Sequence, residues 1–188
     1  MPPAQPVISP AIVAADILGL KPGVGLETAR AALADAGLTN GVEQPNVIVY
    51  EARMLTTITQ RQRLVLVHEE NRITTSALII DFDDVGNLES MEQTFECVRE
   101  VLLQRYGSPT VRVEEGRFRD NVVDDINAGR LIRIVEWHPP TGRLRFRIPR
   151  RLDRRVRMEV QHAHQFPRSG KPCGVWNRSD DGANHVFM

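Results

Sequence analysis

The sequence predicts an α+β protein of two similar units, each a helix followed by an antiparallel meander of three or four strands. Three observations carry that prediction. Segments 25–38 and 90–106 repeat apolar residues at helical spacing. Each is followed by short runs rich in Val, Ile and Thr. The breaks between those runs, such as Thr59-Gln60 and Glu69-Glu70-Asn71-Arg72, are polar and too short for the crossover helices of a doubly wound parallel sheet.

In the first unit, Leu26, Ala29 and Leu33 form one buried stripe at i, i+3 and i+7. Gly37 stands where a left-handed cap belongs, and Leu33 with Leu38 supplies the apolar contact of a Schellman stop. Strands are expected over 46–58, 61–68 and 73–82. The second unit opens on Ser90-Met91-Glu92-Gln93, read as a capping box. Met91, Phe95, Val98 and Leu102 then recur at i, i+4, i+7 and i+11, and Tyr106-Gly107-Ser108-Pro109 stops the helix. Strands follow over 131–138, 143–148 and 154–162, with Pro139-Pro140-Thr141-Gly142 as a turn between the first two. Residues 111–130 are polar and read as an edge strand or a loop. The organisation is a Pro-rich lead (1–10), a first unit (11–87), a second unit (88–164) and a flexible tail (165–188).

Composition narrows the function classes. The 188 residues are 41% hydrophobic and 26% charged, which is globular and excludes wholesale disorder, collagen or coiled coil. Lys+Arg 24 balances Asp+Glu 24, so general attraction to nucleic acid or membrane is not indicated. Cys97 and Cys173 cannot build a disulfide scaffold, and no stretch approaches the ~18 apolar residues that cross a bilayer. The bases are 22 Arg and two Lys, read as the coding bias of a GC-rich bacterial genome. Residues 1–110 carry 8 basic and 14 acidic groups, whereas 111–168 carry 14 and 8. An acidic front and a basic back fit two modules. The start, with Pro2, Pro3, Pro6 and Pro10 and no charge before Asp16, lacks the basic opening of a signal peptide. It reads either as a cytoplasmic lead or as the scar of a removed signal.

Leu20-Lys21-Pro22-Gly23 followed by Glu27, Ala29, Leu33 and Gly37, and later Leu103 through Tyr106-Gly107-Ser108-Pro109, resemble the tandem helix–sheet modules of the beta-lactamase-inhibitor-protein-like fold. They are also similar to small outer-membrane lipoproteins that support β-barrel assembly, although this chain has no Cys before Cys97 to carry an acyl group. Residues 20–38 also resemble the helix of the cell-wall-binding PASTA module. These likenesses imply a non-catalytic binding protein of the bacterial envelope, periplasmic rather than cytoplasmic.

Catalytic signatures are scarce. There is no Gly-x-Ser-x-Gly, no Cys with catalytic flanks and no Walker order around Lys21-Pro22-Gly23-Val24-Gly25, and no cofactor is implied. His162 and His164 share a strand face and could ligate zinc with Cys173, His185 being a conceivable fourth ligand; the plainer reading is two histidines at a strand end. Asp81 and Asp83, with Asp84, Glu69 and Glu70 near by, could hold Mg²⁺ or Ca²⁺, or could simply solvate a strand end. A metal-dependent hydrolase using Asp81/Asp83 or His162/His164 is therefore the alternative function.

The arginines stand above this background. Arg143, Arg145 and Arg147 alternate with Leu144, Phe146 and Ile148, and Arg155 and Arg157 alternate with Val156, Met158 and Val160. One sheet face should be packed and the opposite one should carry guanidiniums. The expected role is recognition of an anionic partner: an acidic protein surface, a glycan or a lipid headgroup. The plain alternative is a face made soluble by charge. A nucleic-acid-binding module is a further alternative, disfavoured because the face lacks aromatics for base stacking.

Overall fold

The computed structural model describes residues 20–54, 58–151, 153 and 155–165. The Pro-rich lead, residues 55–57, Arg154, Cys173, His185 and nearly all of the expected tail lie outside them; the strand expected over 46–58 ends at Ala52, with Arg53, Met54 and Ile58 outside any strand.

The first helix, α1 (Leu26–Asp35), is followed by β1 (Gly41–Gln44), β2 (Val47–Ala52), β3 (Arg61–Glu69) and β4 (Arg72–Phe82). Then come α2 (Leu88–Tyr106), β5 (Val111–Glu115), a short α3 (Val122–Asn127), β6 (Ile132–Trp137), β7 (Arg143–Arg147) and β8 (Val156–Ala163). All eight strands join one antiparallel sheet in the order β1-β2-β3-β4-β8-β7-β6-β5. Both chain halves thus share one sheet, and β4 meets β8 at its centre.

Local chemistry accounts for the boundaries. The Schellman stop forms after α1: Leu38 N–H donates to Leu33 O at 2.8 Å, Gly37 N–H to Ala34 O at 2.9 Å, and Gly37 holds φ +83°. The capping box does not form. Asn87 caps α2 instead, its side chain accepting from Ser90 N–H at 3.0 Å, so the helix starts at Leu88 and Ser90 lies inside it. The Ser90 hydroxyl accepts from Gln60 Nε2, tying the helix start to the loop before β3. Glu70 and Asn71, both at positive φ, close the β3–β4 hairpin as a two-residue turn.

Two elements were not read from the sequence. β1 is four residues with no apolar alternation, and it lies against β2 because Gly41 has no Cβ: one there would come within 2.7 Å of the Tyr50 ring. α3 is six residues, too short for a periodic stripe, and buries only Val122 and Ile126. The polar 111–130 segment supplies an edge strand, β5, as one of its two readings expected, and adds α3.

The helices pack on one face. Met91, Phe95, Val98 and Leu102, the expected stripe of α2, are all buried. Phe95 stacks on Phe146 of β7 with ring centroids 4.7 Å apart. Trp137 Nε1 donates to Gly107 O at 2.8 Å, pinning the end of α2 to β6. Arg99 of α2 pairs with Glu114 of β5, and Arg133 lies over the rings of Phe95 and Phe118. Leu26, Ala29 and Leu33 of α1 and Val122 and Ile126 of α3 belong to this same core.

Candidate binding face

The opposite sheet face holds the arginines. Cross-strand register sets Arg147 opposite Glu159, Arg145 opposite Gln161 and also Glu136, and Arg157 opposite Asp81. Since directly opposed residues share a face, Arg143, Arg145, Arg147 and Arg157 stand together with Arg61 and Arg63 of β3. Phe146, Leu144 and Ile148 point to the other face, into the helix-side core.

The guanidiniums are not, however, the free field expected from alternation alone. Asp81 is the hub. Its Oδ1 accepts from Arg157 Nε at 2.8 Å, and its Oδ2 accepts from Arg63 Nε at 3.0 Å. Arg147 Nη2 donates to Glu159 Oε2 at 3.3 Å, and Arg145 Nε donates to Glu136 Oε1. Arg157 is buried, its side chain only 6% exposed, so it cannot present itself to a partner as the alternation suggested. Arg145 and Arg147 are half-buried, whereas Arg143 and Arg155 are exposed. Arg151, in the connection between β7 and β8, is buried against Asp153.

The electrostatics follow from this packing. Burial alone would raise the Asp81 carboxyl, but the charges and hydrogen bonds of Arg157 and Arg63 outweigh it and hold its pKa below the ordinary carboxylate value. Burial lowers Arg157 from the usual guanidinium range despite the opposing pull of Asp81.

The same face carries an apolar patch. Val47, Val65, Ala77 and Ile79 are buried together, with Val49 and Val67 packed at its border. The patch lies toward the Thr75 end of β4, and Asp81 with its arginines lies toward the other end. The patch is confined to β2, β3 and β4; Arg143 of β7 stands level with Thr75 across Ala163 of β8, and Ile79 lies between Arg63 and Glu159.

The metal candidates do not converge. Both carboxylate oxygens of Asp81 are engaged by guanidiniums, Asp83 is exposed, and Asp84 accepts from Gly86 N–H at 2.8 Å in the turn before α2. His162 is buried on the core face, 3.4 Å from Thr141 Oγ1, while His164 lies past the strand end near Gly23. Cys173 and His185 lie outside the described residues. Among the described residues no three His, Cys, Asp or Glu side chains gather to hold a metal ion. Cys97 is half-buried beside a small polar cleft lined by Gln60, Ser90 and Gln93.

What alternation missed were the partners of the arginines. One was visible: Glu159 has the parity of Arg157 along β8, so it had to share its face. Asp81 was not, because only the non-local pairing of β4 with β8 brings it there. Among the described residues no helix is long and apolar enough to cross a membrane. Comparison with protein-family models, with characterised proteins and with solved structures yields no match to the chain.

Proposed function

We propose that the protein is a non-catalytic binding protein that takes an acidic protein surface on the sheet face opposite its helices. The observation that carries this reading is the charge of that face. It brings Arg61, Arg63, Arg143, Arg145, Arg147 and Arg157 together; Glu51, Asp81, Glu136 and Glu159 pair with five of them, six guanidiniums against four carboxylates. The excess positive charge stands on a rigid sheet, with Arg143 exposed on β7 and Arg155 exposed just before β8. A protein partner is favoured over a uniformly anionic polymer because carboxylates interleave with the arginines; a patterned face selects a partner with a complementary pattern. We also read the chain as two helix-plus-meander units, 11–87 and 88–164. What supports this is that each half has a helix and four strands, the second with α3 inserted between β5 and β6, and that the last strand of each adjoins the other at β4–β8.

The test is titration of the full chain with poly-L-glutamate, beside the double variant Arg143→Glu, Arg155→Glu. Binding should weaken steeply as salt passes the ~0.15 M screening range and should be lost in the variant. Equal binding by both forms would overturn the reading. Binding to phosphatidylglycerol vesicles without binding to polyglutamate would move the partner to a lipid headgroup.

A further inference from the structure

We propose that the acidic surface taken by the open sheet face is the outer side of α2 on a second copy of this chain. The inference rests on the binding reading given above and names its partner. Glu89, Glu92, Glu96 and Glu100 of α2 are all exposed, whereas Met91, Phe95, Val98 and Leu102 are buried beneath it. Asp83 and Asp84, both exposed, precede the helix. The basic residues of α2 leave this ridge acidic. Arg99 is turned to Glu114 as well as to Glu96, and Arg105 stands in the last turn.

Spacing, charge and placement select a second copy. Glu92, Glu96 and Glu100 follow at i, i+4 and i+8, which sets them about 6 Å apart along the helix. Arg143, Arg145 and Arg147 follow at i, i+2 and i+4 on β7, about 7 Å apart along the open face. A helix laid along β7 therefore meets a row of guanidiniums at nearly its own carboxylate spacing. Arg145 and Arg147 already hold Glu136 and Glu159, but a guanidinium carries five N–H donors and can bridge two carboxylates. The ridge belongs to the acidic stretch 1–110 and the guanidinium row to the basic stretch 111–168, a separation that aligns copies head to tail. Lys+Arg 24 balances Asp+Glu 24, so no net charge holds the copies apart. Ridge and row lie on opposite sides of one sheet, so one molecule cannot close the contact on itself. The two surfaces differ, so the contact is heterologous and propagates into chains or rings rather than two-fold dimers.

The test is sedimentation velocity of the full chain across protein concentration and salt, beside two double variants. The wild type should form species larger than a dimer that grow with concentration and dissociate as salt passes the ~0.15 M screening range. Arg143→Glu with Arg155→Glu disables the face, and Glu92→Lys with Glu100→Lys disables the ridge. Each variant alone should be monomeric with circular dichroism unchanged. Their equimolar mixture should form a one-to-one dimer and nothing larger, because one supplies an intact ridge and the other an intact face. A wild type that stays monomeric, assembly that persists in either variant, or a mixture that stays monomeric would overturn the proposal. If Glu92→Lys with Glu100→Lys fails to fold, Glu92→Gln with Glu100→Gln takes its place. Poly-L-glutamate separates this failure from that of the binding reading. Binding of polyglutamate by the ridge variant, beside a monomeric wild type, would overturn only the identity of the partner; no binding by either chain would overturn the open-face reading as well.

Discussion

On the helix side of the sheet, Phe95 stacks on Phe146 amid Leu, Ile and Val from every central strand; on the other side, Asp81 lies between Arg63 and Arg157. The two faces do different work. Apolar burial on the helix side is non-directional and supplies most of the driving force. The charge pairs of the open side are directional, and each ties particular strands: Arg63–Asp81 joins β3 to β4, Arg157–Asp81 joins β4 to β8, Arg147–Glu159 joins β8 to β7, and Arg145–Glu136 joins β7 to β6. A one-residue slip of any of these strands would send its arginine into the apolar core. The open face therefore specifies register while the helix face supplies stability.

The comparison can be broken at four points. Phe95→Ala should cost the most, ~3–5 kcal/mol in denaturant melts, because the ring is fully buried and its loss leaves a cavity beneath α2. A cost below about 1 kcal/mol would place α2 at the periphery.

Asp81→Asn should cost about 3 kcal/mol, since it removes the carboxylate shared by two largely buried guanidiniums and leaves Arg157 only the more distant Glu159, at 3.9 Å. It should also change the acid limb. The Asp81 pKa is lowered on folding, so its contribution is present above the unfolded carboxylate value of ~3.9 and is lost as pH falls through the folded value. Stability against pH should therefore drop less steeply below about pH 4 in the variant than in the native chain.

Arg145→Glu with Arg147→Glu should cost about 2 kcal/mol, because Glu136 and Glu159 would meet like charges in place of their partners. Arg143→Glu with Arg155→Glu should move stability by only ~0.5 kcal/mol, both residues being exposed. Equal costs for these two pairs, read from the same melts, would mean that the charge pairs do not organise the face.

Much of the helix side was legible in the sequence, because local periodicity reports local burial. The stripe of Met91, Phe95, Val98 and Leu102, the Gly37 stop and the inward Phe146 all follow from spacing and capping chemistry. The Ser90 box misled because Asn87, three residues earlier, offers an equally good cap and lengthens the helix by a turn. The open face was half legible. Alternation placed Arg143, Arg145, Arg147 and Arg157 on one side, but whether a guanidinium is free depends on what the neighbouring strand brings. Asp81 and Arg157 are 76 residues apart, and nothing local announces that β4 and β8 adjoin.

The most direct measurement is a double-mutant cycle on that pair, Asp81→Asn and Arg157→Gln, singly and together, followed by urea unfolding. Coupling of roughly 1–3 kcal/mol is expected for two largely buried groups in direct hydrogen bond. Additive costs, with coupling below about 0.3 kcal/mol, would contradict the claim that paired charges join the two halves of the sheet.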